Sequence, residues 1–204
     1  MARAARLREA AAPLRAACRA HPFVLGIGDG SLPPETFARW VVQDWLYLQT
    51  YADVLDRAAE LAGGRWAELA TLTRDEELRL HRTFAARFGL SAADLDGATP
   101  WPATVAYTGF LRTHADSYPT LVASLVPCGV GYVELAQGLA VQPPADPRYA
   151  DWVAMYADPV FAEAVAWMEA ELDAVHADDA ALAAVYAAGA AHELAFWEQL
   201  WRGG

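Results

Sequence analysis

Apolar residues recur along almost the whole chain at intervals of three and four, the spacing that lines one face of an α-helix. From Pro33-Pro34 the run PPETFARWVVQDWLYLQTYADVLDRAAELAGG keeps this spacing until Gly63-Gly64. Proline at the entry and glycine at the exit is the polarity expected of one long helix. A second helix is predicted from Trp66 to Phe88. A short one follows at Ser91–Asp94, where serine and aspartate three apart resemble a capping box. Further helices are predicted over roughly 102–116, 119–141, 147–157, 159–176 and 179–201. Asp158-Pro159 is read as a cap with a first-turn proline, and Gln142–Pro147 as a loop within one domain. The opening stretch MARAARLREAAAPLRAACRA is read as a first amphipathic helix, with Leu7, Ala10, Ala11 and Leu14 at helical spacing. Gly26-Ile27-Gly28-Asp29-Gly30 follows no strand and lacks a P-loop's Lys-Ser/Thr, so a turn leading into a helix is expected there. Nowhere does the sequence alternate with period two over strand length, and it contains no internal repeat. The fold class expected is all-α, a single helical bundle over residues 1–204.

Composition narrows the function. Of 204 residues, 55% are hydrophobic and 20% charged, enough to build a large core and unlike a disordered chain. A formal charge of −11 argues against a nucleic-acid partner, because neutralising phosphates needs a basic face. Every basic residue other than histidine is arginine, which reads as compositional bias. No uninterrupted apolar run reaches the roughly 18 residues of a bilayer span. No membrane partner is therefore expected, and the cytoplasm is the expected location. Cys18 and Cys128 are the only cysteines, too few for a four-cysteine zinc site and far apart for a disulfide.

The informative positions are polar residues on apolar stripes. Asp44 has Trp40, Val41, Tyr47 and Leu48 at three and four residues to either side, with Phe37 and Tyr51 one turn further out. A carboxylate there is buried and needs a partner, since an unpaired buried charge costs several kcal/mol or is protonated. Glu193 repeats the pattern among Tyr186, Gly189, Ala190, Phe196, Trp197 and Leu200. Its apolar setting should raise its pKa, which suits proton transfer near neutrality. Each acid alone is better explained by a bond to a neighbouring helix; two on distant helices favour a shared cavity. Cys128 follows Pro127 and precedes Gly129-Val130-Gly131, so a kink could turn a nucleophilic thiol toward a pocket, although most lone buried cysteines are inert small hydrophobes. Cys18 is read as an inert small hydrophobe. Tyr47, Tyr51, Tyr107, Tyr132 and Tyr156 are either core or the walls and edges of a site for a flat ring. Glu77 and His81 lie four apart and could share a metal, but without further ligands they are expected to be solvated surface residues.

These segments resemble, in order, the TenA/thiaminase II family. The resemblance is carried by His21-Pro22-Phe23 with the glycine-rich stretch, Gln43-Asp44-Trp45-Leu46-Tyr47-Leu48, Ala106-Tyr107-Thr108, Leu125-Val126-Pro127-Cys128 with Tyr132, Trp152 through Tyr156, and His192-Glu193-Leu194-Ala195-Phe196-Trp197. It spans most of the chain. It implies a haem-oxygenase-like bundle without haem, metal or other cofactor, usually a homotetramer. It further implies an aminopyrimidine aminohydrolase, acting on an aminomethylpyrimidine or on thiamine, and Cys128 places the chain in the cysteine-bearing branch. By the same resemblance Cys128 is the nucleophile and Glu193 the acid/base. Asp44 binds the ring's amidine-like edge, Tyr107 and Tyr132 complete the polar contacts, and Tyr47 and Tyr156 flank the ring. Tyr51 and Phe196 line the pocket. Gly129-Val130-Gly131 replaces bulkier residues, which is expected to widen that pocket, and the Tyr107–Cys128 connection is slightly short. A non-catalytic aminopyrimidine-binding regulator, and then a metal-dependent oxidase using Glu77 and His81, rank behind the hydrolase.

Overall fold

The computed structural model describes all 204 residues and contains helices only. In chain order they are α1 (Arg3–Ala10), α2 (Ala12–Arg19), α3 (Pro22–Asp29), α4 (Pro34–Ala62), α5 (Trp66–Leu72), α6 (Leu78–Arg87), α7 (Ala92–Asp96), α8 (Pro102–His114), α9 (Tyr118–Ala140), α10 (Pro147–Tyr156), α11 (Pro159–Ala174) and α12 (Asp179–Arg202). Most boundaries fall where caps and prolines place them. The Asp158 side chain accepts from the Val160 N–H, and Ser91 with Asp94 forms a complete capping box.

Three expectations need correction. The first helix is two, because Pro13 has no N–H to donate and its ring crowds the preceding turn; the chain breaks at Ala11. The glycine-rich stretch is the body of α3, not a turn; only Gly30 (φ 76°) leaves the helix, as a left-handed cap. Its internal glycines permit close approach instead. A Cβ at Gly28 would sit 2.6 Å from Leu139, and one at Gly26 3.1 Å from Leu32, where the chain doubles back. Finally, the predicted 66–88 helix is interrupted by a π-helical turn, Thr73–Glu77, which shifts the register between α5 and α6 by one residue.

Helix α9 is the axis of the bundle, packed on α12, α11, α10, α8 and α4. By length and composition it is apolar enough to cross a bilayer, although charged or polar residues interrupt its apolar runs. Two-thirds of that segment (67%) is buried inside the bundle, which accounts for its composition. Gly189 of α12 makes the tightest fit: its missing Cβ would lie 2.9 Å from Pro127. Fifty-one buried apolar residues drawn from α1 to α12 form one continuous core.

Candidate active site

Asp44 sits midway along α4, 2% exposed, and both of its oxygens are engaged. Oδ1 accepts from the Tyr132 hydroxyl at 3.2 Å, which in turn accepts from the Trp40 indole at 3.1 Å. Oδ2 lies 2.7 Å from His81 Nε2, an ion-pair distance although off the line of a directed hydrogen bond. The other ring nitrogen of His81, Nδ1, lies 3.0 Å from the Glu77 carbonyl oxygen. Both nitrogens therefore face oxygen atoms, an arrangement that favours the doubly protonated ring. Burial opposes a charged ring, but the hydrogen bond and charge of Asp44, followed by Glu77, outweigh it and raise the His81 pKa.

This overturns the expectation that Glu77 and His81 are solvated. His81 is fully buried, its ring 4.9 Å from that of Trp40. Glu77 is partly buried and accepts from the Tyr156 hydroxyl at 3.0 Å; desolvation pushes its pKa to about 7. A stripe test would have found His81, since Phe84, Ala85 and Phe88 follow it at helical spacing. The π turn before it hides the pattern on the other side.

Asp44, Glu77, Tyr132 and Tyr156 form one end of a cavity of about 280 Å³, with His81 and Trp40 buried behind them. Its inner wall carries Asp44, Tyr47, Tyr51, Glu77, Cys128, Tyr132 and Tyr156 from α4, the π turn, α9 and α10. Apolar α11 residues, Phe161 and Met168 among them, close one side, and Arg65, Glu68, Glu76 and Asp158 surround the opening. The volume lies near the lower edge of the roughly 300–1,000 Å³ typical of ligand pockets, suited to a small molecule. The rings of Tyr132 and Tyr156 meet edge to face at 4.6 Å.

Six of the nine expected site residues thus line one cavity. Glu193, Tyr107 and Phe196 stand one layer behind it. Glu193 Oε1 accepts from the Tyr107 hydroxyl at 2.6 Å; the Tyr107 ring packs 4.7 Å from Tyr47, and Phe196 lies 6.3 Å from the same ring. Desolvation raises Glu193 to about 7, moderated by hydrogen bonds from Tyr107 and from the Cys128 thiol. Burial and then the charge of Glu193 push Cys128 well above an ordinary thiol, while the nearby Tyr47 hydroxyl favours the thiolate. That hydroxyl has no partner at full hydrogen-bonding geometry within the protein. Cys18, as expected, is buried, and its pKa is raised to about 12 by desolvation.

The glycines after Cys128 do not widen the cavity. Space at Gly129 is taken by Val165, 2.8 Å from where a Cβ would stand, so α11 closes on α9. Gly131 faces away, toward Glu193 Oε2.

Comparison with known proteins places this geometry. The family model described as the TENA/THI-4/PQQC family matches residues 8–203. An aminopyrimidine aminohydrolase of Halalkalibacterium halodurans is 36% identical over 85% of this chain and 81% of its own length. A Bacillus subtilis protein of the same name is 34% identical over 71% of this chain and 64% of its own. Among solved structures, a TenA homologue from P. horikoshii OT3 superposes with a TM-score of 0.95 at 25% identity, covering 100% of both chains. A domain with a heme oxygenase-like fold from Shewanella denitrificans, 13% identical, gives 0.74 over 98% of this chain and 92% of its own. The expected all-α, haem-oxygenase-like bundle is the observed one.

Proposed function

Because the chain belongs to the TENA/THI-4/PQQC family, we propose that it is an aminopyrimidine aminohydrolase. It replaces the substituent on the exocyclic methylene of a 4-amino-5-aminomethylpyrimidine, or of thiamine, by hydroxyl, and so returns a hydroxymethylpyrimidine to thiamine salvage. The observation that carries this reading is Cys128 and Asp44, on separate helices, lining one small aromatic-walled cavity with Glu193 in contact behind the thiol.

The groups divide the work by their electrostatics. Asp44 is held against a cationic imidazole and a phenol, so it offers fixed negative charge to the amino and ring N–H edge of the pyrimidine. Tyr47, Tyr132 and Tyr156 give the ring flat faces. The Cys128 thiol is buried and protonated at rest, so its attack must be coupled to loss of its proton, and Glu193 with a pKa of about 7 is the adjacent acceptor. Sulfur adds to an electron-poor ring carbon. The C–N bond at the methylene then breaks, its electron pair leaving with nitrogen; Glu193 protonates a departing amine, whereas a cationic substituent such as a thiazolium leaves neutral and Glu193 passes the thiol's proton to the ring nitrogen instead. Water adds to the methylene and gives a proton to Glu193. The S–C bond breaks, the ring is restored, and the sulfur recovers its proton, from Glu193 after an amine or from the ring nitrogen after a cation.

The test is purified protein with 4-amino-5-aminomethyl-2-methylpyrimidine, following the hydroxymethyl product and ammonia. Turnover is expected to vanish in Cys128→Ala. Tight pyrimidine binding without any product would instead make the protein a binding or regulatory member. We carry the homotetramer as part of the proposal; Leu25, Val105 and Trp201 are exposed apolar groups available to an interface, and light scattering measures the assembly.

A further inference from the structure

The 6% of Glu193 that remains exposed has no counterpart in the substrate cavity, whose wall it does not join. It belongs to a second, smaller space behind the residue. This crevice, about 20 Å³, is lined by Cys18, Pro127, Gly131, Tyr186, Trp197 and Glu193, with Arg15, Arg19 and Glu134 at its solvent end. Arg15 Nε donates to Glu134 Oε2 at 2.8 Å and Arg19 Nη1 to the same oxygen at 3.3 Å, so that end is polar and partly solvated.

Three observations give the crevice a content. Its volume exceeds the roughly 10–15 Å³ that one water requires. Glu193 is nearly buried, yet its Oε2 takes part in none of the protein's side-chain hydrogen bonds and is not among the side-chain oxygens sealed from water. A carboxylate oxygen left unbonded at a buried site is costly unless water satisfies it. And Glu193 divides its oxygens: Oε1 is bonded to Tyr107, whereas the only atom within 4 Å of an added Cβ at Gly131 is Oε2, at 4.0 Å. A side chain at position 131 would extend toward Oε2 along the wall of this crevice.

We propose that this crevice holds a water through which Glu193 exchanges protons with solvent from the face opposite the substrate, and that Gly131 is the residue that keeps the route open. The inference rests on the acid/base reading of Glu193. When a substrate enters with a cationic nitrogen and that nitrogen departs neutral, hydrolysis releases one proton per turnover, left on Glu193 when it deprotonates the attacking water. While product fills the front cavity, the proton passes from Oε2 to the crevice water as that water gives one of its own to the solvent. The water is unchanged, and Glu193 is reset without waiting for the front to empty.

The experiment compares the full-length protein with Gly131→Ala, thiamine serving as the cationic substrate. A methyl at this position meets only Glu193 Oε2 at ordinary contact distance within a helix, so the fold is retained. It projects toward Oε2 and narrows the space left for the water. If proton release after the bond-breaking step is slowed, kcat and KM fall together by about tenfold, kcat/KM stays at the wild-type value, and the single-turnover rate is unchanged. Crystals of the wild type show a water bonded to Glu193 Oε2, and Gly131→Ala loses it. A dry crevice, or a wild-type kcat in Gly131→Ala, overturns the route. Glu193→Gln assayed alongside separates the two ideas. Full turnover in Glu193→Gln removes the catalytic reading and the route with it. Inactive Glu193→Gln with wild-type kcat in Gly131→Ala removes the route alone.

Discussion

Two buried carboxylates of similar exposure, Asp44 at 2% and Glu193 at 6%, sit in opposite electrostatic company. Asp44 faces an imidazole whose second nitrogen is also committed to an acceptor, so its pocket contains a countercharge. Glu193 has only neutral donors, a phenol and a thiol, and desolvation lifts it to about 7. Burial alone therefore does not decide what a buried acid does; the partner's charge does. A carboxylate opposite a cation is a fixed anion for binding, whereas one among neutral donors holds a proton loosely enough to pass it on.

The largest effect should come from removing the groups around the mobile proton. Cys128→Ala is expected to lower kcat by on the order of 10³-fold or more, and Glu193→Gln by roughly 10²–10⁴-fold, with pyrimidine binding retained in both. Steady-state kinetics with calorimetric binding checks this. Loss of binding with little change in kcat would move Glu193 to the same side of the comparison as Asp44.

His81 should matter next, through stability. His81→Gln leaves Asp44 buried without its cation, and breaking one half of a buried pair costs about 3–5 kcal/mol. Asp44→Asn in the same chain should recover much of that loss, which urea denaturation of the four variants of the cycle would measure. Additive losses would mean that the 2.7 Å contact carries no coupling.

The two acids were also the part of the site most legible in the sequence, and for one reason: each interrupts an aromatic stripe in an uninterrupted helix, α4 or α12. The same periodicity located nearly every helix. It failed at residues 73–77, where the π turn changes the period, and with it went the position of Glu77 and His81. Layering was illegible for a different reason. Stripe membership says that Tyr107, Phe196 and Glu193 are buried, but not whether a cavity or another side chain lies in front of them; Tyr47 does. The effect of Gly129 was misread because its space is filled from α11, a partner that no local pattern names.

Asp44→Asn by itself should show mainly in affinity. A charge-assisted hydrogen bond to the ligand is worth about 1.5–3 kcal/mol, so KM should rise roughly 10–150-fold with a smaller change in kcat. Equal losses in kcat and kcat/KM would place Asp44 in the transition state and erase its contrast with Glu193.

The smallest effect is the pH dependence of stability, and its sign is the sharpest feature. Glu193 and Glu77 are raised by desolvation to about 7 from 4.5, so folding favours their protonated forms. Their contribution is complete below about pH 4.5 and is lost as pH rises through 7. His81, also raised, contributes fully below about 6.5 and loses that contribution as pH climbs through its folded value. All three slopes have the same direction, so the unliganded protein should be less stable at pH 8 than at pH 5.5. Glu193→Gln should remove about 1–3 kcal/mol of that difference. Partial desolvation lowers His114 and His192, and these two half-buried rings oppose the slope up to about pH 6.5. The exposed Asp179 and Asp146, held low by hydrogen bonds from arginines, act oppositely only below about pH 4, outside this window. Calorimetric Tm from pH 5 to 8 reads the slope. A Tm that rises with pH would mean that water reaches both glutamates freely, and that Glu193 is no more desolvated than a surface acid.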